Sequence, residues 1–153
     1  MIIVSACLVG HKCRYDGKAK ESKELNKFLK DKEFIPVCPE QLGDLPTPRE
    51  PAEEQNEKII TINGKDVTLN YELGANHALD IAIKSQCDFA ILKGKSPMCG
   101  KGKIYDGSYS STLKEGNGVF TKKLIEKDIP VFNSDEKEAL DLFKMKDLPS
   151  RKE

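Results

Sequence analysis

Asp88-Phe89-Ala90-Ile91-Leu92-Lys93-Gly94-Lys95-Ser96-Pro97-Met98-Cys99-Gly100-Lys101-Gly102 is the stretch that decides the fold. Phe89 to Leu92 are four consecutive apolar residues between turn signals, the pattern of a strand buried on both faces in a parallel sheet. The loop after it carries a hydroxyl (Ser96), a rigid turn (Pro97), a thiol (Cys99) and glycines that let backbone approach closely. In open α/β sheets ligands bind beyond the carboxyl ends of strands. The loop is therefore a site candidate by position as well as by chemistry.

Outward from this stretch the same grammar repeats. Met1 to Ala6 reads as a first buried strand, followed at once by Cys7. His11 to Lys18 is polar and holds the turn signal Asp16-Gly17, so it lies as a loop over the same sheet edge. From Ser22 to Lys32, Leu25, Phe28 and Leu29 recur at helical spacing behind Ser22 as N-cap. A second strand over Glu33 to Val37 ends at Cys38, and the four prolines between Pro39 and Pro51 exclude a helix interior or a central strand there.

Asn63-Gly64 between β-branched runs predicts a hairpin spanning Lys58 to Thr68. Tyr71 to Gln86 is a helix whose small-residue stripe, Ala75, Ala78, Leu79, Ala82 and Ile83, suits close packing on a sheet. Tyr105 to Asn117, rich in Gly, Ser and Tyr, reads as an irregular covering loop. Then come a helix over Gly118 to Lys127, a strand over Ile129 to Phe132, and a last helix capped by Asn133 or Ser134. The alternation predicts α/β: a single Rossmann-like three-layer domain over 1–145 with a mostly parallel sheet of about four main strands plus a small β-hairpin. Residues 146–153 form a charged, frayed tail.

Composition narrows the function. Lys+Arg 25 against Asp+Glu 25 gives no net charge on 153 residues, which argues against a dedicated nucleic-acid or membrane-surface binder. No apolar run approaches the roughly 20 residues of a spanning helix, and the start lacks a signal-peptide pattern. Five cysteines is an odd count, better suited to reduced thiols in the cytoplasm than to disulfides.

Cys7, Cys38 and Cys99 each follow a predicted parallel strand, so all three project from one sheet edge. A buried filler cysteine belongs mid-strand or on a helix stripe, and three at strand ends fit that role poorly. Three thiolates suit zinc or an iron-sulfur centre. The wide spacing, 31 residues from Cys7 to Cys38 and 61 from Cys38 to Cys99, disfavours a zinc ribbon. Cys13 or His11 could supply a fourth ligand; without one, a coordination position stays open, as at catalytic metals. Cys87 sits at the wrong edge and reads as core, and His77 as a hydrogen-bonded structural histidine.

Glu40, two residues after Cys38, could act as general base near a metal, or be one solvated glutamate among many. Ser96 is either a hydrogen-bonding group of the site or a turn serine. Gly94-Lys95-Ser96 is not a phosphate loop, because Phe89 and Pro97 stand where a glycine and a helix start are needed. Lys93, Lys95, Lys101 and Lys103 either attract an anionic substrate or form a solvated face. Arg14, Tyr15 and Arg49 could hold a planar or anionic ligand.

Val4-Ser5-Ala6-Cys7-Leu8-Val9-Gly10 with Cys13-Arg14-Tyr15-Asp16-Gly17, Val37-Cys38-Pro39-Glu40 with Leu45-Pro46-Thr47-Pro48-Arg49, and Ile91-Leu92-Lys93 with Ser96-Pro97-Met98-Cys99-Gly100 together resemble a small bacterial and archaeal family, once a domain of unknown function and now associated with thiouracil desulfidases (TudS-like). The resemblance spans nearly the whole chain. It implies a 4Fe-4S cluster held by Cys7, Cys38 and Cys99 with one open iron, Glu40 as acid/base and Ser96 as positioning group or proton donor. The implied activity is non-redox desulfuration of thiolated pyrimidines, 2-thiouracil or 4-thiouracil in type, to uracil and sulfide. Relatives acting on tRNA carry an extra domain, so the expected partner is a free base or nucleoside. Met98 departs from a usual serine and Asp44 from a usual glycine; the first bears on pocket shape, the second on a backbone angle. A reading of a different class is a zinc- or cluster-stabilised binding module, for RNA or nucleotides, with Cys13 completing a structural site.

Overall fold

The computed structural model describes residues 1–149. In chain order its elements are β1 (Ile2–Ser5), a 3-10 turn (Ala6–Val9), α1 (Lys23–Leu29), β2 (Phe34–Val37), α2 (Pro39–Leu42), β3 (Ala52–Gln55), β4 (Lys58–Thr61) and α3 (Thr68–Lys84). There follow β5 (Phe89–Leu92), β6 (Lys103–Tyr105), β7 (Leu113–Glu115), α4 (Val119–Glu126), β8 (Val131–Asn133) and α5 (Lys137–Leu142). The central sheet has the order β2-β1-β5-β8 and is parallel throughout, with Ile3 opposite both Ile35 and Ala90.

Side chains alternate across the sheet as a two-residue period requires. Ile3, Ala90 and Leu92 meet the Ala75, Ala78 and Ala82 stripe of α3 and Phe120 and Leu124 of α4. Ile2, Val4, Phe89 and Ile91 face the other way, onto Leu25, Phe28 and Leu29 of α1 and Leu142 of α5. The result is the three-layer arrangement expected, with the central strands β1 and β5 buried on both faces and the edge strands β2 and β8 partly exposed. Ile3, Val4, Ile91 and Leu92 have no solvent exposure, each contributing roughly 1.5–3 kcal/mol of transfer free energy.

Some local readings are corrected. The hairpin pairs β3 with β4, and its two-residue loop is Asn56-Glu57, both at positive φ as a tight right-twisted hairpin needs. Asn63-Gly64 does reverse the chain along the other edge of β4, with the Thr61 N–H donating to the Lys65 carbonyl at 2.8 Å, the Val67 N–H to the Ile59 carbonyl at 2.9 Å and one antiparallel bridge from Ile60 to Asp66. The returning segment runs into α3 at Thr68 before it becomes a strand. The 105–117 segment is not wholly irregular: β6 and β7 form an antiparallel ladder. The proline-rich stretch opens with the short helix α2, since Pro39 at the first helical position gives up only an N–H with no partner inside the helix. Helix α5 starts after Glu136, and Asn133 is occupied elsewhere. Ser150–Glu153 of the expected tail lie outside the described residues, while Leu148 packs against the α1 side of the core.

Candidate active site

Cys7 stands in the 3-10 turn directly after β1, Cys38 is the N-cap of α2 directly after β2, and Cys99 lies on the loop after β5. β2, β1 and β5 are neighbours, and successive strands are added on opposite sides of β1, so the cysteines surround the topological switch point of the sheet. All three line one cavity of about 400 Å³, together with Glu40, Ser96, Lys93, Tyr15, Tyr71, Tyr105 and Tyr109. The turn carrying Cys7 is closed by Gly10 at φ 102, whose N–H reaches back to Ala6 and Cys7 carbonyls. Only glycine adopts that angle without steric cost.

The loop carrying Cys99 is pinned from several sides. Ser96 Oγ accepts the Cys99 N–H at 2.8 Å. The Cys99 carbonyl accepts from Thr121 Oγ1 at 2.9 Å and from Asn133 Nδ2 at 3.0 Å. Asn133 also donates to the Leu92 carbonyl at 3.3 Å and accepts from the Lys101 N–H at 2.7 Å, tying the end of β8 to the loop after β5. Behind the loop, a Cβ on Gly118 would come 2.4 Å from the Met98 carbonyl carbon, so α4 begins against the loop backbone itself. Ser96 is thus a turn-forming serine as well as a cavity-lining one.

The thiols differ in electrostatic setting. A hydrogen bond with the Cys13 side chain holds Cys7 below the ordinary thiol range, against its burial. Hydrogen bonding with Cys13 and then burial push Cys38 well up. Cys99 is raised by burial and by the nearby charge of Glu40, partly offset by hydrogen bonds with Ser5 and Ser96. Cys13 has a lowering hydrogen bond to Cys38 outweighed by one with Cys7 and by burial, and stands at about 11. No disulfide joins the cysteines. Among the described residues no three Cys, His, Asp or Glu side chains gather around a position for a single metal ion; the thiols line a cavity wall instead.

Glu40 is anchored at both carboxylate oxygens. Tyr71 donates its hydroxyl to Oε1 at 2.7 Å, and Arg49 Nη2 donates to Oε2. The Arg49 side chain is only 6% exposed and that of Glu40 19%. Arg49 also donates to the Cys13 carbonyl at 3.0 Å, and to Thr47 Oγ1 and the Pro46 carbonyl at 3.1 Å each. Its guanidinium is therefore committed to the site's framework. Burial and the Glu40 charge hold the Tyr71 hydroxyl far above its usual range, fixing it as a donor. The clamp depends on α2 lying directly on α3: a Cβ on Gly74 would meet the Pro39 carbonyl oxygen at 1.8 Å, and one on Gly43 the Asn70 oxygen at 2.0 Å.

Sequence expectation and geometry meet at Cys7, Cys38, Cys99, Glu40 and Ser96, which line one cavity. Cys13 lies buried between Cys7 and Cys38, whereas His11 is exposed and outside the cavity lining. Cys87 is fully buried, as read. His77 is instead exposed on α3, since the apolar stripe turns the adjacent position outward. Of the loop lysines only Lys93 lines the cavity, held below the ordinary ammonium range by burial. Lys101 pairs with Glu138 at 3.3 Å and Lys95 faces Asp135 at 3.9 Å. Met98 is buried in the α3-side core, and Asp44 adopts φ 65, the angle a glycine would take without strain. Sequence reasoning missed Tyr71, Ser5 and Asn133. The first is signalled only by an aromatic residue at a helix start, the others by polar residues at strand ends.

The family model for 2-thiouracil desulfurase matches residues 2–136. The chain is 38% identical to "Uncharacterized protein YbbK" of Bacillus subtilis (strain 168), covering 89% of this chain and 97% of that protein. It superposes with a TM-score of 0.84 on the solved structure of a "[4Fe-4S]-dependent thiouracil desulfidase TudS", at 42% identity over 92% of this chain and 95% of that one. By family match, relatedness and fold, the chain belongs to the 2-thiouracil desulfurase family.

Proposed function

We propose that this protein removes sulfur from thiolated pyrimidines of the 2-thiouracil or 4-thiouracil type, giving uracil and sulfide with no net electron transfer. The overall change is C=S plus water to C=O plus hydrogen sulfide, so no oxidant or reductant is required. The observation that carries the reading is the meeting of three thiols and a clamped carboxylate in one cavity at the switch point of the sheet.

The donor set fits a 4Fe-4S cluster: soft sulfur ligands, Cys7, Cys38 and Cys99, from three adjacent strand ends bordering a roomy cavity. When bound with one iron unligated by protein, such a cluster supplies a soft Lewis acid for the substrate's sulfur. The chain's own residues supply the rest. Glu40, with Tyr71 and Arg49 donating to it, is an ionised acceptor whose free lone pairs can take a proton from water attacking the thiocarbonyl carbon. Arg49 compensates the carboxylate charge and fixes its plane. Ser96 Oγ spends a lone pair on the Cys99 N–H, leaving its O–H to donate toward the substrate. Tyr15, Tyr105 and Tyr109 supply flat apolar surface at the cavity wall for a pyrimidine ring.

Anaerobic reconstitution with iron and sulfide tests the reading: the loaded protein holds iron and sulfide in equal amounts and releases sulfide from 2-thiouracil. Stoichiometric zinc with no sulfide release refutes it. One observation favours the binding-module reading, the buried Cys13 in the same cavity lining, with Cys38 Sγ reaching its carbonyl at 3.7 Å. Under that reading Cys13→Ser abolishes metal binding; under the desulfidase reading it does not.

A further inference from the structure

Three cationic side chains line the cavity: Arg14, Arg49 and Lys93. Arg49 is bound to Glu40, and Arg14 has Asp16 at 3.6 Å and lies over the Tyr15 ring at 5.6 Å. Lys93 has no carboxylate within 4.0 Å among the described residues, and its ammonium makes one long contact, 3.5 Å to the Gly94 carbonyl. A partly buried ammonium with donors to spare is costly to keep unless something enters to accept them. Its backbone is fixed. The Lys93 N–H donates to Ser5 Oγ at 2.9 Å, and a Cβ on the next residue, Gly94, would lie 2.6 Å from Asp135 Oδ1.

We propose that Lys93 is the specificity-determining residue of this site, donating a hydrogen bond to the exocyclic oxygen of a thiolated pyrimidine and thereby selecting oxo-thio bases over thiones that lack the oxygen. This rests on the desulfidase reading above. The substrate's sulfur matches the soft thiol side of the cavity, and its ring N–H groups are donors, which an ammonium cannot serve. The exocyclic oxygen is the remaining strong acceptor. Arg49 and Glu40 satisfy one another and Arg14 has Asp16 and the Tyr15 ring, so Lys93 is the cavity cation that has no anionic partner within 4.0 Å among the described residues.

The test compares wild type with Lys93→Met, which keeps the aliphatic stem, on 2-thiouracil and on pyrimidine-2-thione, a thione with no exocyclic oxygen. For 2-thiouracil kcat/KM falls roughly tenfold to a hundredfold, mainly through KM, the loss expected for a hydrogen bond to a charged group. For pyrimidine-2-thione the two proteins agree within about twofold. Calorimetric binding of the product uracil weakens by a similar roughly tenfold or more, while iron content and melting temperature are unchanged. Equal losses on both substrates, unchanged kinetics and uracil binding in Lys93→Met, or a wild type that treats both substrates alike each overturn the assignment while sulfide release from 2-thiouracil by wild type leaves the desulfidase reading standing. A wild type that releases no sulfide overturns both.

Discussion

Tyr71→Phe removes one oxygen from the interior and nothing else, which makes it a sharp probe of the Glu40 clamp. Tyr71 is 3% exposed, its hydroxyl lies 2.7 Å from Glu40 Oε1, and its ring packs in the α3-side core, where phenylalanine keeps the packing. The bond lost is to an ionised acceptor, worth about 1.5–3 kcal/mol. The other carboxylate oxygen keeps Arg49, so no wholly unpaired charge is created and the cost does not climb to that of a broken buried ion pair. For a domain of this size about 2 kcal/mol lowers the melting temperature by roughly 4–8 °C.

Urea and thermal unfolding of cluster-free protein, followed by circular dichroism, measure that cost without depending on catalysis. The catalytic consequence is separate: with Oε1 released, Glu40 loses its fixed orientation, and kcat falls roughly tenfold to a hundredfold, as when the hydrogen-bond partner of a functional ligand is removed. In the background of Glu40→Gln, the same Tyr71→Phe change costs less than it does in wild type. A Tyr71→Phe protein with wild-type midpoint and slope in urea refutes the clamp, and full stability loss without any loss of kcat refutes its catalytic meaning.

Arg49→Met leaves the half-buried Glu40 with half its partners and costs about 1.5–3 kcal/mol by the urea midpoint, whereas Arg49→Lys recovers only part of this because one ammonium cannot serve Glu40, Cys13, Thr47 and Pro46 together. Asp44→Gly relieves a residue held at φ 65 and raises the melting temperature, by an amount equivalent to about 1 kcal/mol or less; a decrease contradicts the strain argument. Cys13→Ser retains iron after reconstitution, while Cys7→Ser, Cys38→Ser and Cys99→Ser each lose most of it, as iron and acid-labile sulfide analysis shows. Gly74→Ala drives a methyl into the Pro39 carbonyl, separates α2 from α3, and lowers both stability and kcat in parallel.

The sheet was legible because its central strands β1 and β5 are buried on both faces and because β1, β2 and β5 are each followed by a cysteine. Phe89 to Leu92 needs no periodicity to be read, and the cysteines after β1, β2 and β5 mark one edge once the strands are taken as parallel. What escaped was whatever depends on competition between local signals. Asn63-Gly64 is the stronger turn signal by composition and does reverse the chain, yet the full ladder closes at Asn56-Glu57 because the segment after Gly64 enters α3 at Thr68 after a single bridge. Asn133 reads as a cap, but its amide is drawn into the Cys99 loop, where three backbone groups await it. Tyr71 was invisible as a site residue because its partner, Glu40, lies 31 positions away and is reached only after α2 packs on α3.

That packing explains why one short helix carries so much of the site. α2 begins at Cys38 as its N-cap, presents Glu40 in its first turn, and closes at Gly43, whose carbonyl accepts from Asn70 Nδ2 at 2.9 Å. Four residues are too few to hold a helix by their own hydrogen bonds. α2 is instead held by contact with α3, which Gly43 and Gly74 permit, and by Tyr71 and Arg49 gripping Glu40. Cys38 and Glu40 therefore move as one body, so a change that shifts α2 displaces the thiol and the carboxylate together. Loss of iron retention and loss of proton-transfer capacity should accordingly track one another in variants at Gly43, Asn70 and Gly74, and separate in variants at Cys7 or Cys99, whose anchors lie on β1, β8 and α4.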